Sequence, residues 1–238
     1  MKTKLFFTFF IFTSLIMAFA SCKKDDKTDP APETKKIVTA PADPVTDIDG
    51  NVYQTIKIGD QIWMAENLRV TKFRDGFGIA EIPINSYWAD IFTAQEGKYC
   101  KYNNNADTGR VYGYLYNCKA ANNTKNIAPT GWRLPTNNDW NTLIEYLGGP
   151  TVAGGKLKDA GFVHWDSPNT VADHESNFKA LGSGNRFVDG QFRSIRLEAY
   201  FWIASNSGEF KILFADDEAV DSGVGGTTCG YSIRCIKE

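Results

Sequence analysis

The second half of the chain is divided into short runs of β-branched and aromatic residues by clusters of Gly, Asn, Asp and Ser. This pattern is typical of short strands joined by tight turns, and it predicts strands over residues 185–188, 191–195, 199–204, 209–214 and 231–237. Alternating residues over 52–58 and 61–64, joined by Gly59 and Asp60, predict a hairpin at the start of the domain. Many short strands with one or two helices between them predict an α+β domain with short antiparallel strands.

Residues 137–147 carry the signals of a helix. Thr136 can cap its start, with Asp139 three residues later, and apolar side chains recur at helical spacing at Trp140, Leu143, Ile144 and Leu147. Two glycines and a proline follow at 148–150 and end the helix. A second, shorter helix is expected over residues 152–159, where two glycines weaken it.

The N-terminus of the chain has the three parts of an export signal. Lys2 and Lys4 precede an apolar stretch over residues 5–20, and small residues lead into Cys22. We therefore predict a signal peptide over residues 1–21. Because roughly 20 apolar residues are needed to cross a bilayer, a permanent membrane helix is the weaker interpretation.

The residues around Cys22 indicate how the chain is held at a membrane. Phe19-Ala20-Ser21-Cys22 resembles the lipobox of bacterial lipoproteins, in which the cysteine is acylated and becomes the mature N-terminus. The resemblance implies lipidation of Cys22 and a membrane partner reached through this anchor. The next residues, 23–26 (KKDD), resemble the export tag of surface lipoproteins in the Bacteroidetes, so we expect the chain at the outer face of the outer membrane.

Residues 22–44 are predicted to be a disordered tether. They hold four of the nine prolines, many charges and no aromatic residue, so they cannot bury enough apolar surface to fold. Aromatic and β-branched residues begin near residue 45, which places one folded domain over residues 45–238. The formal net charge of −2, from 26 basic and 28 acidic residues, provides no basic field, so nucleic acid is not an expected partner.

Six blocks of the domain are recognisable in order. They are 47–53 (DIDGNVY), 63–68 (WMAENL), 112–117 (YGYLYN), 131–136 (GWRLPT), 156–158 (KLK) and 232–237 (SIRCIK). Together they resemble the Fibrobacter succinogenes major paralogous domain, and they extend over essentially all of residues 45–238. The turn at 133–136 is also similar to formylglycine-generating sulfatase-modifying enzymes. The resemblance implies a C-type-lectin-like α+β domain in a family whose activity is mostly undefined, and we predict no cofactor.

The cysteines are the first candidates for chemistry. Besides Cys22 there are four, an even number in an exported protein, which allows three pairings if all are oxidised. Members of the family often have a cysteine just before the Pro-x-Gly-Trp block, where this chain has Ala128. With that partner missing, we predict the pairs Cys100–Cys118 and Cys229–Cys235, each adding about 2–4 kcal/mol. An alternative takes the second pair as thiolates for copper, as in the formylglycine-generating enzymes.

Aromatic and polar residues in the middle of the chain form a candidate ligand site. Tyr112, Tyr114 and Tyr116 recur at a period of two, so they would share one face of a strand. An exposed stripe of this kind can stack on sugar rings, whereas a buried one is a core face, which is the stronger interpretation. The candidate ligand-binding residues are Tyr102, Asn104, Asp107, Tyr112 and Tyr114.

Both histidines lie in one polar segment. His164 and His174 stand ten residues apart, with carboxylates beside them at Asp166, Asp173 and Glu175. Side chains of these types can bind a divalent metal. Because the spacing fits no short metal motif, a surface loop is the stronger interpretation, and a metal site at the two histidines is the weaker one.

These features together predict a surface-exposed lipoprotein with a binding or adhesion domain. Rigid strands that hold irregular loops outward commonly carry such specificity, and the expected ligand is a glycan or a protein. Two alternatives remain open: an oxidase of the formylglycine-generating type and a structural component of the cell envelope. No catalytic residue is assigned.

Overall fold

The computed structural model describes residues 36–90 and 96–238. The predicted signal peptide over 1–21, the predicted lipidation site Cys22 and most of the predicted tether lie outside the described residues. Within these ranges, none of the helices has the length and hydropathy of a membrane span.

Short strands make up most of the regular secondary structure of the domain. In chain order they are β1 (Thr39–Thr46), β2 (Val52–Ile58), β3 (Gln61–Met64), β4 (Ala80–Glu81), β5 (Lys98–Cys100), β6 (Leu115–Tyr116), β7 (Trp132–Arg133), β8 (Ser183–Arg186), β9 (Phe192–Ile195), β10 (Glu198–Trp202), β11 (Glu209–Phe214), β12 (Asp221–Val224) and β13 (Ile236–Lys237). The helices are α1 (Asn85–Trp88), α2 (Ala106–Tyr112), α3 (Cys118–Ala121), α4 (Asn137–Tyr146) and α5 (Ala153–Leu157), and a 3₁₀ turn covers Tyr102–Asn104.

The described strands form three sheets. The first is antiparallel with the order β1-β2-β3-β13-β7, so the last strand of the chain pairs between β3 and β7. The second has the order β12-β11-β10-β8-β9 and is antiparallel except where β8 meets β10. The third, β4-β5-β6, is small. Several antiparallel sheets with few helices confirm the predicted α+β class.

The first hairpin is fixed by a polar turn. The Asp47 carboxylate accepts hydrogen bonds from the backbone N–H of Asp49 and of Asn51, both at 2.9 Å, and from the Tyr53 hydroxyl at 2.6 Å. Gly50 completes the turn at a φ of 84°, a conformation that favours glycine. The block 47–53 is therefore a structural turn that joins β1 to β2. The predicted strands at 52–58 and 61–64 are confirmed as β2 and β3.

The folded domain begins earlier than the sequence indicates. Residue 44 was the expected end of the tether, but β1 already pairs with β2 from Thr39 onward. Ile37 is buried in the main core and ties this end down. Prolines at 41 and 44 suggested disorder, yet a strand at the edge of a sheet tolerates proline because its outer side needs no N–H donor.

Helix α4 packs its apolar face into the main core. The Trp140 ring lies 5.1 Å from Trp63 of β3 and 5.7 Å from Phe178, measured between ring centres. At its start, Thr136 and Asp139 exchange backbone and side-chain hydrogen bonds and form a capping box. The predicted helix over 137–147 is confirmed over Asn137–Tyr146, and the shorter predicted helix is α5.

Two predictions about strands are wrong. Tyr112, Tyr114 and Tyr116 do not share a strand face, because the Asn105 side chain accepts a hydrogen bond from the Thr108 N–H and caps helix α2, which ends at Tyr112. Only Leu115–Tyr116 is a strand there. The predicted strand over 231–237 is reduced to Ile236–Lys237, because the residues before it are buried and make single bridges to different strands.

Candidate functional site

Two adjoining cavities form one groove beside the first sheet. The larger, about 470 Å³, is lined by Thr39, Pro41, Gln54, Ile56 and Asn177 among others. The smaller, about 220 Å³, is lined among others by Arg69, Val111, Asp159 and His164. Ala65, Glu66 and Lys179 line both cavities, so the two cavities adjoin at these three residues and are together called the groove.

A third cavity has its polar groups committed to the fold. It measures about 190 Å³ and lies between Asp47 and Arg74. The Arg74 guanidinium donates to the carbonyl oxygens of Ala128, Pro129 and Trp132 at 3.2, 2.7 and 2.7 Å. Because Asp47 is likewise taken up by its turn, this cavity offers a ligand little, and the groove is the better candidate.

The floor of the groove comes from the block 63–68. After β3, the Ala65 N–H donates to the Gln54 carbonyl at 2.8 Å and keeps the chain against β2. Glu66 is held on both carboxylate oxygens, by the Gln54 N–H at 2.8 Å and by Arg69 at 3.1 Å. Its orientation is therefore fixed before any ligand binds.

Asn177 and Lys179 form the wall of the groove and lie at the end of a strained segment. Five residues that are not glycine have a positive φ between 169 and 179, namely Asn169, Val171, His174, Asn177 and Lys179. Val171, at a φ of 53°, is a β-branched residue in a conformation such residues rarely adopt, and strain of this kind clusters at functional sites. The Lys179 ammonium makes no hydrogen bond or ion pair within the described residues, so it is free for a ligand.

Buried Arg234 joins the floor to this wall. It is 0% exposed, and its Nε donates to the Asn67 Oδ1 at 2.9 Å while Nη2 donates to the Lys179 carbonyl at 2.8 Å. Nη1 donates to the Phe178 carbonyl, and the guanidinium lies 4.4 Å from the Phe178 ring centre. Burial lowers the pKa of Arg234 to about 9, an effect that the Glu66 and Asp159 carboxylates oppose. Arg234 is thus a rigid brace behind the groove.

The smaller end of the groove contains one of the two histidines. His164 lies edge-on to the Tyr112 ring, 5.5 Å between centres, and its buried Nδ1 has no partner among the described residues. His174 instead has its Nδ1 3.4 Å from Asp159 and does not line either cavity. The described residues contain no group of three or more His, Cys, Asp or Glu side chains able to hold a metal ion. The structure therefore does not bring His164 and His174 together in such a group.

The predicted ligand residues do not come together. Tyr102 is buried against Phe192, with ring centres 5.2 Å apart, and Tyr114 stacks on Tyr99 at 5.1 Å. The Asn104 amide donates to the Pro83 carbonyl, and Asp107 pairs with Arg110 at the surface. Tyr112 alone comes near the groove, through its contact with His164.

The groove residues that the sequence analysis missed are Gln54, Glu66, Asn177 and Lys179. Glu66 belongs to the recognised block 63–68, which is the one signal that could have located the floor. Nothing in the spacing of Asn177 and Lys179 marks them, because Arg234, from the far end of the chain, holds the Phe178 and Lys179 carbonyls in place.

The four cysteines are separate thiols, so the predicted disulfide pairs are not formed. All four are buried, and burial raises the pKa of the Cys100 thiol to about 12 and raises the pKa of the other three as well. The Cys118 sulfur accepts a long hydrogen bond from the Asn122 amide at 3.6 Å. The residues concerned are Cys100, Cys118, Cys229 and Cys235. The segments around these cysteines are therefore held together by packing and not by disulfide bonds.

Comparison with known proteins gives one family. The family model described as the Fibrobacter succinogenes major domain matches residues 56–237. No curated protein and no solved structure matches the chain. The matched region runs from β2 to β13 and includes Glu66, Asn177, Lys179 and Arg234.

Proposed function

We propose a function for the chain from its own geometry, because it belongs to the Fibrobacter succinogenes major domain family, whose name states no activity. The proposed function is that of a surface-exposed lipoprotein whose domain binds an extracellular ligand in the groove. The proposal rests on one observation: residues of both the floor and the wall of the groove are held in position before any ligand binds. Glu66 is held by two partners, and Arg234 braces the backbone at Lys179. Side chains that are already ordered reduce the free-energy cost of binding.

A binding role also fits the uncommitted polar groups. The Gln54 side-chain amide and the Lys179 ammonium make no hydrogen bond or ion pair within residues 36–90 and 96–238, although both line the larger cavity. Polar groups of this kind, placed over an apolar floor, are typical of ligand sites. The alternative functions, an oxidase of the formylglycine-generating type and an envelope component without a soluble ligand, have no comparable site in their support.

The fold we propose for this function is C-type-lectin-like. Its support is the family resemblance, together with a sheet in which β13 pairs with β3 and brings the end of the domain back to its beginning. The connections between β3 and β13 then reach this sheet and supply Glu66, Asp159 and Lys179 to the groove beside β1 and β2.

The groove proposal is tested by binding of the full chain, purified in detergent, to an array of glycans and extracellular proteins. The double variant Gln54→Ala/Lys179→Ala should lose at least about tenfold in affinity for any ligand found, since it removes two uncommitted polar groups. Lys57→Ala is the matched control, because Lys57 is an exposed lysine of β2 that lines neither cavity. Equal affinity of the double variant and the control would refute the groove as the binding site.

The proposed anchor is tested separately. Cys22→Ser removes the thiol that the lipobox resemblance assigns to acylation, so the variant should move from the membrane fraction to the soluble fraction. Protease treatment of intact cells should degrade the wild-type chain if it faces outward. Membrane retention of the Cys22→Ser protein would contradict acylation at this residue, and full protection from protease would contradict surface display.

A further inference from the structure

We infer that the groove takes a segment of a neutral polysaccharide, an inference that rests on the proposed function and names its ligand class. The first argument is shape. Both cavities are lined by Ala65, Glu66 and Lys179, so the candidate surface extends from Thr39 past these residues to His164. Two adjoining cavities suit a chain of repeating units, which can occupy both, better than a single compact molecule.

The second argument is hydrogen-bonding chemistry. A sugar hydroxyl donates one hydrogen bond and accepts others, so it is best met by donors and acceptors that stand side by side. The groove offers such mixtures along its length. The amide groups of Gln54 and Asn177 both donate and accept, Lys179 donates, and Asp159 accepts. The Asn177 amide is already positioned by a 3.3 Å hydrogen bond to the Thr39 hydroxyl.

The third argument is charge. The groove is lined by two carboxylates, Glu66 and Asp159, and by two cations, Arg69 and Lys179. Glu66 and Arg69 pair with each other at 3.1 Å. The buried Arg234 points its N–H groups at protein oxygens and so offers no hydrogen bond to a ligand. The formal charges of the lining therefore sum to zero, so the groove has no excess of positive charge that would favour an acidic polysaccharide over a neutral one.

The groove is poorly suited to a peptide. Peptides that add to a sheet pair with free N–H and C=O groups of an edge strand, and β1, the edge strand here, lacks two N–H donors at Pro41 and Pro44. Peptides that dock by side chains need a deep apolar pocket for each anchor. The apolar part of the lining consists of Pro41, Ile56 and Ala65, which can meet the C–H face of a sugar but include no ring or row of leucines to surround a side-chain anchor.

Hydrogen–deuterium exchange on the full chain in detergent tests the inference. The probes are cellohexaose, xylohexaose and mannohexaose as neutral chains, hexagalacturonate as an acidic chain, and a mixture of hexapeptides. A neutral oligosaccharide should slow exchange in two segments, residues 52–69 and 169–181, which carry the floor and the wall. Its affinity should change by less than about twofold between 50 and 500 mM NaCl, because no ion pair is formed.

The outcomes separate the ligand class from the site. Protection of both segments by hexagalacturonate alone or by peptides alone would overturn the neutral polysaccharide and leave the groove as the binding site. Protection by any probe elsewhere in the domain, with neither segment changed, would overturn the groove itself. No protection by any of the three neutral chains would overturn the inference.

Point variants supply an independent measurement. Gln54→Ala and Asn177→Ala should each weaken binding of the protecting oligosaccharide by about five- to tenfold, the usual effect of removing one or two neutral hydrogen bonds. Lys57→Ala should leave the affinity unchanged. Unchanged affinity in both groove variants would place the sugar elsewhere and overturn the inference.

Discussion

Replacing Asp139 by Asn tests whether the block 131–136 is a device for starting helix α4. The Asp139 carboxylate accepts hydrogen bonds from Arg133 Nη1 at 2.6 Å, Arg133 Nη2 at 2.9 Å and the Thr136 N–H at 2.7 Å. An asparagine side chain has a single acceptor oxygen and would place N–H groups against the guanidinium. It therefore loses the two-pronged contact with Arg133 and weakens the capping box.

The loss can be estimated from the exposure of the pair. Hydrogen bonds to charged groups contribute about 1.5–3 kcal/mol when buried. The Arg133 side chain is 37% exposed and that of Asp139 is 12% exposed, so screening by water reduces the pair to about 1–2 kcal/mol. A weakened cap adds about 0.5–1 kcal/mol. We expect Asp139→Asn to lower the free energy of unfolding by about 1.5–3 kcal/mol at pH 7.

The same contacts predict how the effect depends on pH. Burial raises the pKa of Asp139, but the hydrogen bonds from Arg133 and Thr136 outweigh burial and lower the pKa from 3.8 to about 2. Because the pKa is lower in the folded state than in the unfolded state, the stabilisation is complete above pH 3.8 and is lost as the pH falls toward 2. The difference between wild type and Asp139→Asn should therefore shrink over that range.

The assay is urea unfolding of the full chain followed by tryptophan fluorescence at pH 7, 5 and 3. Asn138→Ala is the control, since Asn138 is an exposed neighbour in the first turn of α4. The reasoning is refuted if Asp139→Asn stays within about 0.5 kcal/mol of the control, which is the range of ordinary surface substitutions, or if its deficit at pH 3 equals that at pH 7.

Gly113→Ala should destabilise the fold by more than about 3 kcal/mol, because Gly113 has a φ of 77° and an added Cβ would lie 2.6 Å from the Asn67 Cβ. Gly131→Ala should cost about 1 kcal/mol, because Gly131 has a similar φ of 78° but open space around it. Equal losses of stability in thermal unfolding of the two variants would contradict this prediction. Burial lowers the pKa of Lys158 from 10.5 to about 8, so between these pH values the unfolded chain binds a proton that the folded domain does not. Wild type should therefore gain stability relative to Lys158→Met as the pH rises from 8 to 10.5. A constant difference in unfolding free energy between the two proteins in urea titrations would contradict this prediction. Without reductant, a thiol reagent should not react with the four buried cysteines of the folded domain and should react with all four after unfolding; they are Cys100, Cys118, Cys229 and Cys235. Fewer than four reactive thiols in the unfolded domain would reveal disulfides.

Elements set by neighbouring residues could be predicted from the sequence. Helix α4 was found because Thr136 and Asp139 mark its start within one turn and its apolar face has a clear period. The hairpin of β2 and β3 was found because its turn lies between two alternating runs. Strand β11 agrees residue for residue with the predicted run over 209–214. In each case the signal and the structure occupy the same few residues.

Features set by distant residues were missed. The groove wall depends on Arg234, whose partner Asn67 lies 167 positions away, and no local pattern connects the two. The tyrosines at 112–116 were assigned to a strand because their alternation is a strand signal, but the Asn105 cap and Gly113 divide them between a helix and a short strand. The cysteine count indicated disulfides, yet a count contains no information on which sulfurs meet.

The position of β1 also determines how the domain would respond to a pull. Thr39 and Pro41 of this strand line the groove, and Ile37, just before it, is buried in the main core. The Val38 N–H donates to the Tyr146 hydroxyl at 2.9 Å, so the strand is also fastened to α4 at its entry. Tension between a ligand held at Gln54 or Lys179 and an N-terminal attachment would pass through β1 and its hydrogen bonds to β2. Mechanical failure would therefore start by peeling β1 from β2.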